Sequence, residues 1–353
     1  MSDLAVEQER PVIRRRLGYI SASLLLLVVV IAMGVSVGET SMPLAVIGQT
    51  LANKMFGASY PVDAIDAGII WNYRLTRAIV AACCGASLAV SGVVLQAMLR
   101  NALADPYILG ISAGASTGAV VVLVVGIGGG LLSLSLGAFV GSLIAFSLVI
   151  MLARAAGGGV SMQGTGLVIL AGIAGSQLFN AMTSFIITRS ANAEQVRGVM
   201  FWLMGNMSGV RWGDVQLAVP VAILGVCVCI WHRRALDAFT FGPESAALLG
   251  VPVRKVQAIA IGCASMMTAV MVCLVGSIGF VGIVIPHAAR FLVGPRHARL
   301  LPVSALIGAV FLVIADIGSR VLVPNQVLPI GVITALVGAP GFALILIRGR
   351  RIR

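Results

Sequence analysis

The strongest constraint on this 353-residue chain is its succession of long apolar stretches, each close to the length of a membrane-crossing helix. At a rise of about 1.5 Å per residue, a helix needs about 20 apolar residues to cross hydrocarbon about 30 Å thick. Ten such stretches can be placed, at 17–37, 75–98, 106–126, 131–153, 165–188, 214–231, 254–275, 278–293, 301–323 and 331–347. The eighth is short and carries Pro286 and His287, which predicts either a broken helix or one that leans on its neighbours. Only 10% of the residues are charged, against about a quarter in soluble domains, so lipid must solvate most of the surface. The fold class is therefore all-α and polytopic. Residues 17–348 form one membrane domain, between a short N-terminal segment, 1–16, and a basic tail, 349–353.

A net charge of +12 can signal nucleic-acid binding, but here the basic residues sit in short connections between apolar runs. That is how membrane topology is encoded, not how a docking face for nucleic acid is built. Of the 24 lysines and arginines, Lys54, Arg74, Arg77, Arg189, Arg197, Arg211 and Arg320 fall on one side. All the others fall on the opposite side, together with both chain ends, so an even number of spans with both termini cytoplasmic is expected. Arg14, Arg15 and Arg16 precede an apolar run too long for a cleaved signal, and no clear A-x-A site follows. A retained anchor is expected. Two outer segments are more than turns. Residues 38–73 hold an amphipathic stretch with Leu44, Ile47, Leu51 and Met55 on one face, suited to lying along the membrane or tucking against the bundle. Residues 189–213 hold an apolar piece, Val199 to Met204, too short to span and suited to a half-helix at the outer mouth.

Several chemistries are excluded. A phosphate-binding loop of the Walker type needs Gly-Lys followed by Ser or Thr, and the two lysines, Lys54 and Lys255, follow Asn53 and Arg254. His232, His287 and His297 are scattered, and the six cysteines lie inside apolar runs without metal-ligand spacing. An enzyme reading has no support. Asp316 is the one acidic residue well inside a span, with Arg320 one turn on, which favours an ion pair between helices over a proton relay. Gly110, Gly114 and Gly118 form a stripe without side chains, read as a helix-packing surface, with a lining of the translocation path as the alternative.

One region carries a specific pattern: Gly85 to Gln96, then Arg100-Asn-Ala-Leu-Ala-Asp105-Pro106-Tyr-Ile-Leu-Gly110, with Asp105 and Pro106 as a helix start. Further strings follow in order: Arg74-Leu-Thr-Arg77, Phe201-Trp-Leu-Met-Gly205-Asn206, and Gly279-Phe-Val-Gly282-Ile-Val-Ile-Pro286-His287-Ala-Ala-Arg290. Leu301-Pro302, Ala315-Asp316 with Arg320, and Pro329-Ile-Gly331-Val-Ile-Thr334-Ala335 complete the set. Together they resemble the FecCD-type permeases, the membrane subunits of type II ABC importers for iron–siderophores, haem and cobalamin. The resemblance covers the chain after residue 17. Ala102 stands where the family commonly has Pro, Asn206 where Ser is usual, and Val327 where Glu is frequent. Pro295-Arg296-His297-Ala298-Arg299 is a variant of the usual Asp-His-Arg.

The resemblance implies a homodimer in the cell inner membrane, served by separate ABC ATPase subunits and an extracytoplasmic substrate-binding protein. No cofactor would be bound by this chain; ATP and Mg would sit on the partner ATPase. Pro243 at a helix start, Glu244 in the first turn and Gly250 at the end already suggest a short helix. The resemblance makes that loop, with Ala247, Leu248, Val251 and Arg254, the contact through which the ATPase is coupled. Likewise Arg74, Arg77 and Arg320 become candidates to pair with glutamates of the binding protein, since a planar guanidinium holds a carboxylate in two places. The expected cargo is an iron chelate, siderophore before haem, with cobalamin as the alternative. A stand-alone secondary transporter is the competing class. The topology predicts that cysteines introduced within 189–213 react with an impermeant thiol reagent from outside intact cells. Labelling from the cytoplasmic side would overturn the ten-span reading.

Overall fold

The computed structural model describes residues 2–38, 40–126, 133–157, 162–190, 192–324 and 326–349, with the side chains of 2–17, 19, 162–165, 190, 346, 348 and 349 outside the description. The basic tail from residue 350 and the side chains of the N-terminal arginines lie outside the described residues.

All regular structure among the described residues is helical. Helix α1 runs from Ser2 to Ser36, so the apolar stretch Ile20–Ser36, which coincides with the first sequence stretch, is the second half of a longer helix. Next come α2 (Leu44–Phe56) and α3 (Ala64–Gly68), which Asp63 caps by accepting from the N–H groups of Ile65 and Asp66. A π-helical turn, Ile69–Leu75, joins α3 to α4 (Thr76–Met98). The second span thus begins within a continuous helix from Ala64, earlier than residue 75. The third span is also interrupted. A 3₁₀ turn, Pro106–Leu109, ends at Gly110 with φ +79°, and α5 (Ile111–Val120) follows with a π-helical end, Val121–Val125. The remaining helices are α6 (Leu134–Ala155), α7 (Met162–Ser190), α8 (Ala193–Leu203), α9 (Trp212–Trp231), α10 (Arg233–Phe239) and α11 (Pro243–Leu248). They are followed by α12 (Val253–Val275), α13 (Val281–Val293), α14 (His297–Val321) and α15 (Ile330–Gly349).

Among the described residues, six segments are long and apolar enough to cross a membrane, and four shorter apolar ones, in α1, α5, α13 and α15, coincide with the remaining sequence stretches. The half-helix expected within 189–213 is α8, started by a capping box in which Asn192 and Gln195 bond each other's backbone N–H. The amphipathic stretch is α2. It rests on the end of α1 through Ile47, against Val35 and Ile70, so its buried face is Ile47 with Thr50. Leu44 and Met55 remain exposed, because only the middle of this short helix touches the bundle.

Helix α4 is the centre. Nearly every residue from Thr76 to Met98 is buried, with α14, α12, α9 and α13 packed round it. Lipid supplies no hydrophobic drive between helices, so close approach must come from small residues. A Cβ on Gly85 would fall 2.0 Å from the Gly308 carbonyl oxygen of α14, and one on Gly92 would fall 2.0 Å from that of Gly282 in α13. Gly114 and Gly118 make the same kind of contact with Gly141 and Gly137 of α6. Gly110 is separate from this stripe: it provides the left-handed turn that starts α5.

These contacts predict that Gly85→Val lowers the thermal unfolding midpoint of the detergent-purified protein or prevents its insertion. Overpacking costs about 1–3 kcal/mol even where neighbours can move, and here the neighbour is backbone. Gly48→Ala, which meets nothing within 4 Å, serves as the control and should be neutral.

Candidate functional site

The chain presents functional features at both ends of the bundle and along one side. At the end where α4 starts, the three arginines singled out in the sequence come together, but inside the protein. Arg74, Arg77 and Arg320 are each about 2% exposed or less. Arg77 donates through Nε to Asp316 Oδ1 at 2.5 Å, and through its terminal nitrogens to Tyr73 Oη, Ser208 Oγ and Ser319 Oγ. Arg320 Nη2 lies 3.0 Å from Asp316 Oδ2 as an ion pair and donates to the Gly34 carbonyl at 2.9 Å. Arg74 donates to the carbonyls of Val35 and Ser36 and to both oxygens of Thr40. The three arginines read from sequence as docking candidates therefore form a buried cluster round Asp316, tying α1, α4 and α14 together. The Asp316–Arg320 pair was legible in the spacing. Its larger partner, Arg77, is 239 residues away and was not.

A cleft of about 190 Å³ opens onto this cluster, lined by Gly38, Thr40, Ile69, Tyr73, Arg74 and Arg320. Through it the buried cations can still be approached.

In the middle of the bundle the sequence strings meet. Gln96 donates to the Gly282 carbonyl at 3.2 Å and accepts from Arg290 Nη1 at 2.6 Å. A Cβ on Gly282 would come within 3.1 Å of Asp105 and 3.0 Å of Pro106. The chain is broken between α12 and α13, where Gly276 has φ +77° and Phe280 is left-handed at φ +69°. Tyr107 spans this break: its hydroxyl donates to the Ile278 carbonyl and accepts from the Ile278 N–H. Tyr107 stood inside a quoted string without an assigned role; its pairing with a distant break leaves no local signal.

At the opposite end, α10 and α11 fold over the exit of α4. Gly242, with φ +104°, lets Pro243 begin α11. Gly250, with φ +79°, ends it in a Schellman motif, Val251 N–H bonding to the Ala246 carbonyl and Gly250 N–H to that of Ala247. Pro243, Glu244, Ala247, Val251, Arg254 and Lys255 line an open cleft of about 670 Å³. Leu248 projects from it at 91% exposure. Six of the seven residues chosen from sequence are thus grouped on one small unit around the cleft, and Gly250 shapes its turn.

The side of α7 carries a feature that sequence reading missed. Ala171, Gly172, Gly175, Phe179 and Thr183 are buried, while Gln177, Asn180 and Ser184 are exposed on another face. Their spacing, i, i+3 and i+7, was present in the sequence, masked by a strongly apolar background.

A bundle of membrane-length helices is the architecture of an integral membrane protein. The chain belongs to the FecCD transport family, whose model matches residues 25–348. It is 42% identical over 291 residues to the cobalamin import system permease protein BtuC of Halobacterium salinarum, covering 81% of this chain and 74% of that one. It is 38% identical to the Fe(3+) dicitrate transport system permease protein FecD of Escherichia coli, covering 80% of this chain and 86% of that one. Its structure superposes on a metal-chelate type ABC transporter in an inward-facing conformation with TM-score 0.80 and 28% identity, covering 94% of this chain and 99% of the other. The chain is a multi-pass permease subunit of a type II ABC importer for an iron chelate or cobalamin. Such a subunit is not itself catalytic and binds no cofactor, ATP being bound by the partner ATPase.

Removing one side of a buried ion pair costs about 3–5 kcal/mol because the remaining charge is stranded. Asp316→Ala strands Arg77 and Arg320 together. It should lower the unfolding midpoint far more than Asp66→Ala, whose carboxylate lies on α3, a helix without a buried residue. Equal midpoints would show that the cluster does not hold these helices.

Proposed function

We propose that two copies of this chain form the importer's membrane core in the cell inner membrane, with both termini cytoplasmic. The α10–α11 end then faces the ATPase and the Asp316 end faces the binding protein. The asymmetry of basic residues supports the orientation. The observation that carries the coupling assignment is α11 itself: a short helix begun by Pro243 and closed at its end by the Gly250 turn, which presents an almost fully exposed Leu248 beside an open cleft. A large apolar side chain held out on a stiff unit is what a protein groove requires.

At the other end, the 190 Å³ cleft gives an acidic side chain of the binding protein access to the Arg74 and Arg320 guanidinium groups. Arg77, committed to Asp316, acts by holding that cleft in shape. The exposed amides of Gln177 and Asn180 are costly against lipid, which supports α7 as the helix facing a wet path along the dimer axis.

For the cargo, an iron chelate is the first reading, siderophore before haem. The identity to the Fe(3+) dicitrate permease FecD of Escherichia coli supports it. Cobalamin is the second reading, favoured by the identity to the Halobacterium salinarum cobalamin permease.

The importer reconstituted in proteoliposomes with its ATPase and binding protein tests these assignments together. Leu248→Asp should abolish ATP-driven uptake while leaving binding-protein docking intact. Thr40→Glu, which places a carboxylate at the mouth of the arginine cleft, should weaken docking at least about tenfold, as like charges at an interface do. Normal uptake in the first variant, or normal docking in the second, would move the respective contact elsewhere. Radiolabelled ferric siderophore, haem and cobalamin, each offered as the sole cargo, decide the substrate.

A further inference from the structure

Helix α14 is capped by a residue that belongs to another helix. The first backbone N–H groups of a helix have no intrahelical acceptor. Its own N-cap residue, Arg296, makes no side-chain cap. Asp237, on α10, supplies one instead: its Oδ1 accepts from the His297 backbone N–H at 2.9 Å and lies 2.7 Å from His297 Nδ1. A carboxylate at a helix N-terminus is favoured both as an acceptor and by the helix dipole. The His297 side chain is 3% exposed and that of Asp237 40%, so the joint is fixed on one side and open on the other. The cap matters more here than in an ordinary helix. Pro302 lies in the second turn of α14 and has no N–H to give the Ala298 carbonyl, so the first turn is weakly held from within.

The location gives this joint its meaning. Helix α10 leads directly into α11 through Thr240 and Gly242, and Thr240 Oγ1 closes the turn on the Asp237 carbonyl at 2.6 Å. Helix α14 runs unbroken from His297 to Asp316 and Arg320, about 28 Å at 1.5 Å per residue, so it ends in the buried cluster below the arginine cleft. We propose that Asp237 is a positioning residue for transport: its carboxylate passes displacement of the α10–α11 unit to α14, and thereby to the Asp316 cluster at the other end of the bundle. The proposal rests on the reading that α11 meets the ATPase.

The test uses the complete importer in proteoliposomes and measures cargo moved per ATP hydrolysed, stimulation of the ATPase by the loaded binding protein, and the unfolding midpoint. Asp237→Ala should assemble and hydrolyse ATP at the basal rate but lose about tenfold in cargo per ATP, the factor that one charge-assisted hydrogen bond sets between two states. Asp237→Asn, which keeps an oxygen acceptor, should recover most of that loss. A lower unfolding midpoint with unchanged cargo per ATP would make the cap merely structural and overturn the proposal. If Asp237→Ala does not assemble, Asp237→Leu, which deletes the acceptor but keeps side-chain bulk, decides the question. Unchanged cargo per ATP in that variant would equally overturn it. Leu248→Asp separates this proposal from the reading beneath it. Normal coupling in that variant removes the ATPase from α11, whereas lost coupling there with a normal ratio in Asp237→Ala removes only the joint.

Discussion

The architecture depends on one constraint, that helices in lipid must be drawn together by contact alone. Water is absent on both sides of the association, so burying leucine against leucine gains little over burying it against lipid. The bundle meets this with backbone-to-backbone approach at Gly85–Gly308, Gly92–Gly282 and Gly118–Gly137, distances no side chain would allow. Helix α4 is thereby enclosed on all sides and becomes the frame from which both functional ends are hung.

The same medium explains the treatment of charge. Three arginines at one end would be costly if left bare, and they are held by Asp316, by backbone carbonyls left over at the end of α1, and by hydroxyls. A buried pair of this kind is weak evidence for net stability, since its attraction mostly offsets its own desolvation. What it supplies is definition. The starts and ends of α1, α4 and α14 are fixed against one another, and a small cationic cleft is kept in shape beneath the surface. At the far end a single carboxylate, Asp237, plays the comparable part for the start of α14. Irregular backbone is also tolerated only where its polar groups are met, as at the break before α13, where one tyrosine hydroxyl serves both groups of Ile278.

Much of this was legible in the sequence. The apolar stretches, the half-helix after residue 189 and the Pro243–Gly250 helix all follow from local rules: hydrophobic run length, glycine placement, capping residues; α13, by contrast, runs unbroken through Pro286. The family strings marked the right regions, since Gln96, Asp105, Gly282 and Arg290 do converge. At Gly110 a helical period was read through a position that instead turns the chain, at φ +79°, into the start of α5.

The sequence by itself determined that the chain is a membrane bundle, because run length and charge placement answer to the bilayer, a solvent that acts on each segment independently. It also marked α11, whose start and stop signals lie within a few residues of each other. Only the tertiary structure decided that Arg77 belongs to Asp316, that Tyr107 repairs the break at Ile278, that Asp237 caps α14 and that Gln177 and Asn180 share an uncovered face. Each of these pairs residues far apart in the chain or contrasts one face of a helix with another. A polar side chain in lipid must find a partner, but its own neighbourhood in sequence does not say which; that is set by which helices the glycine contacts bring side by side.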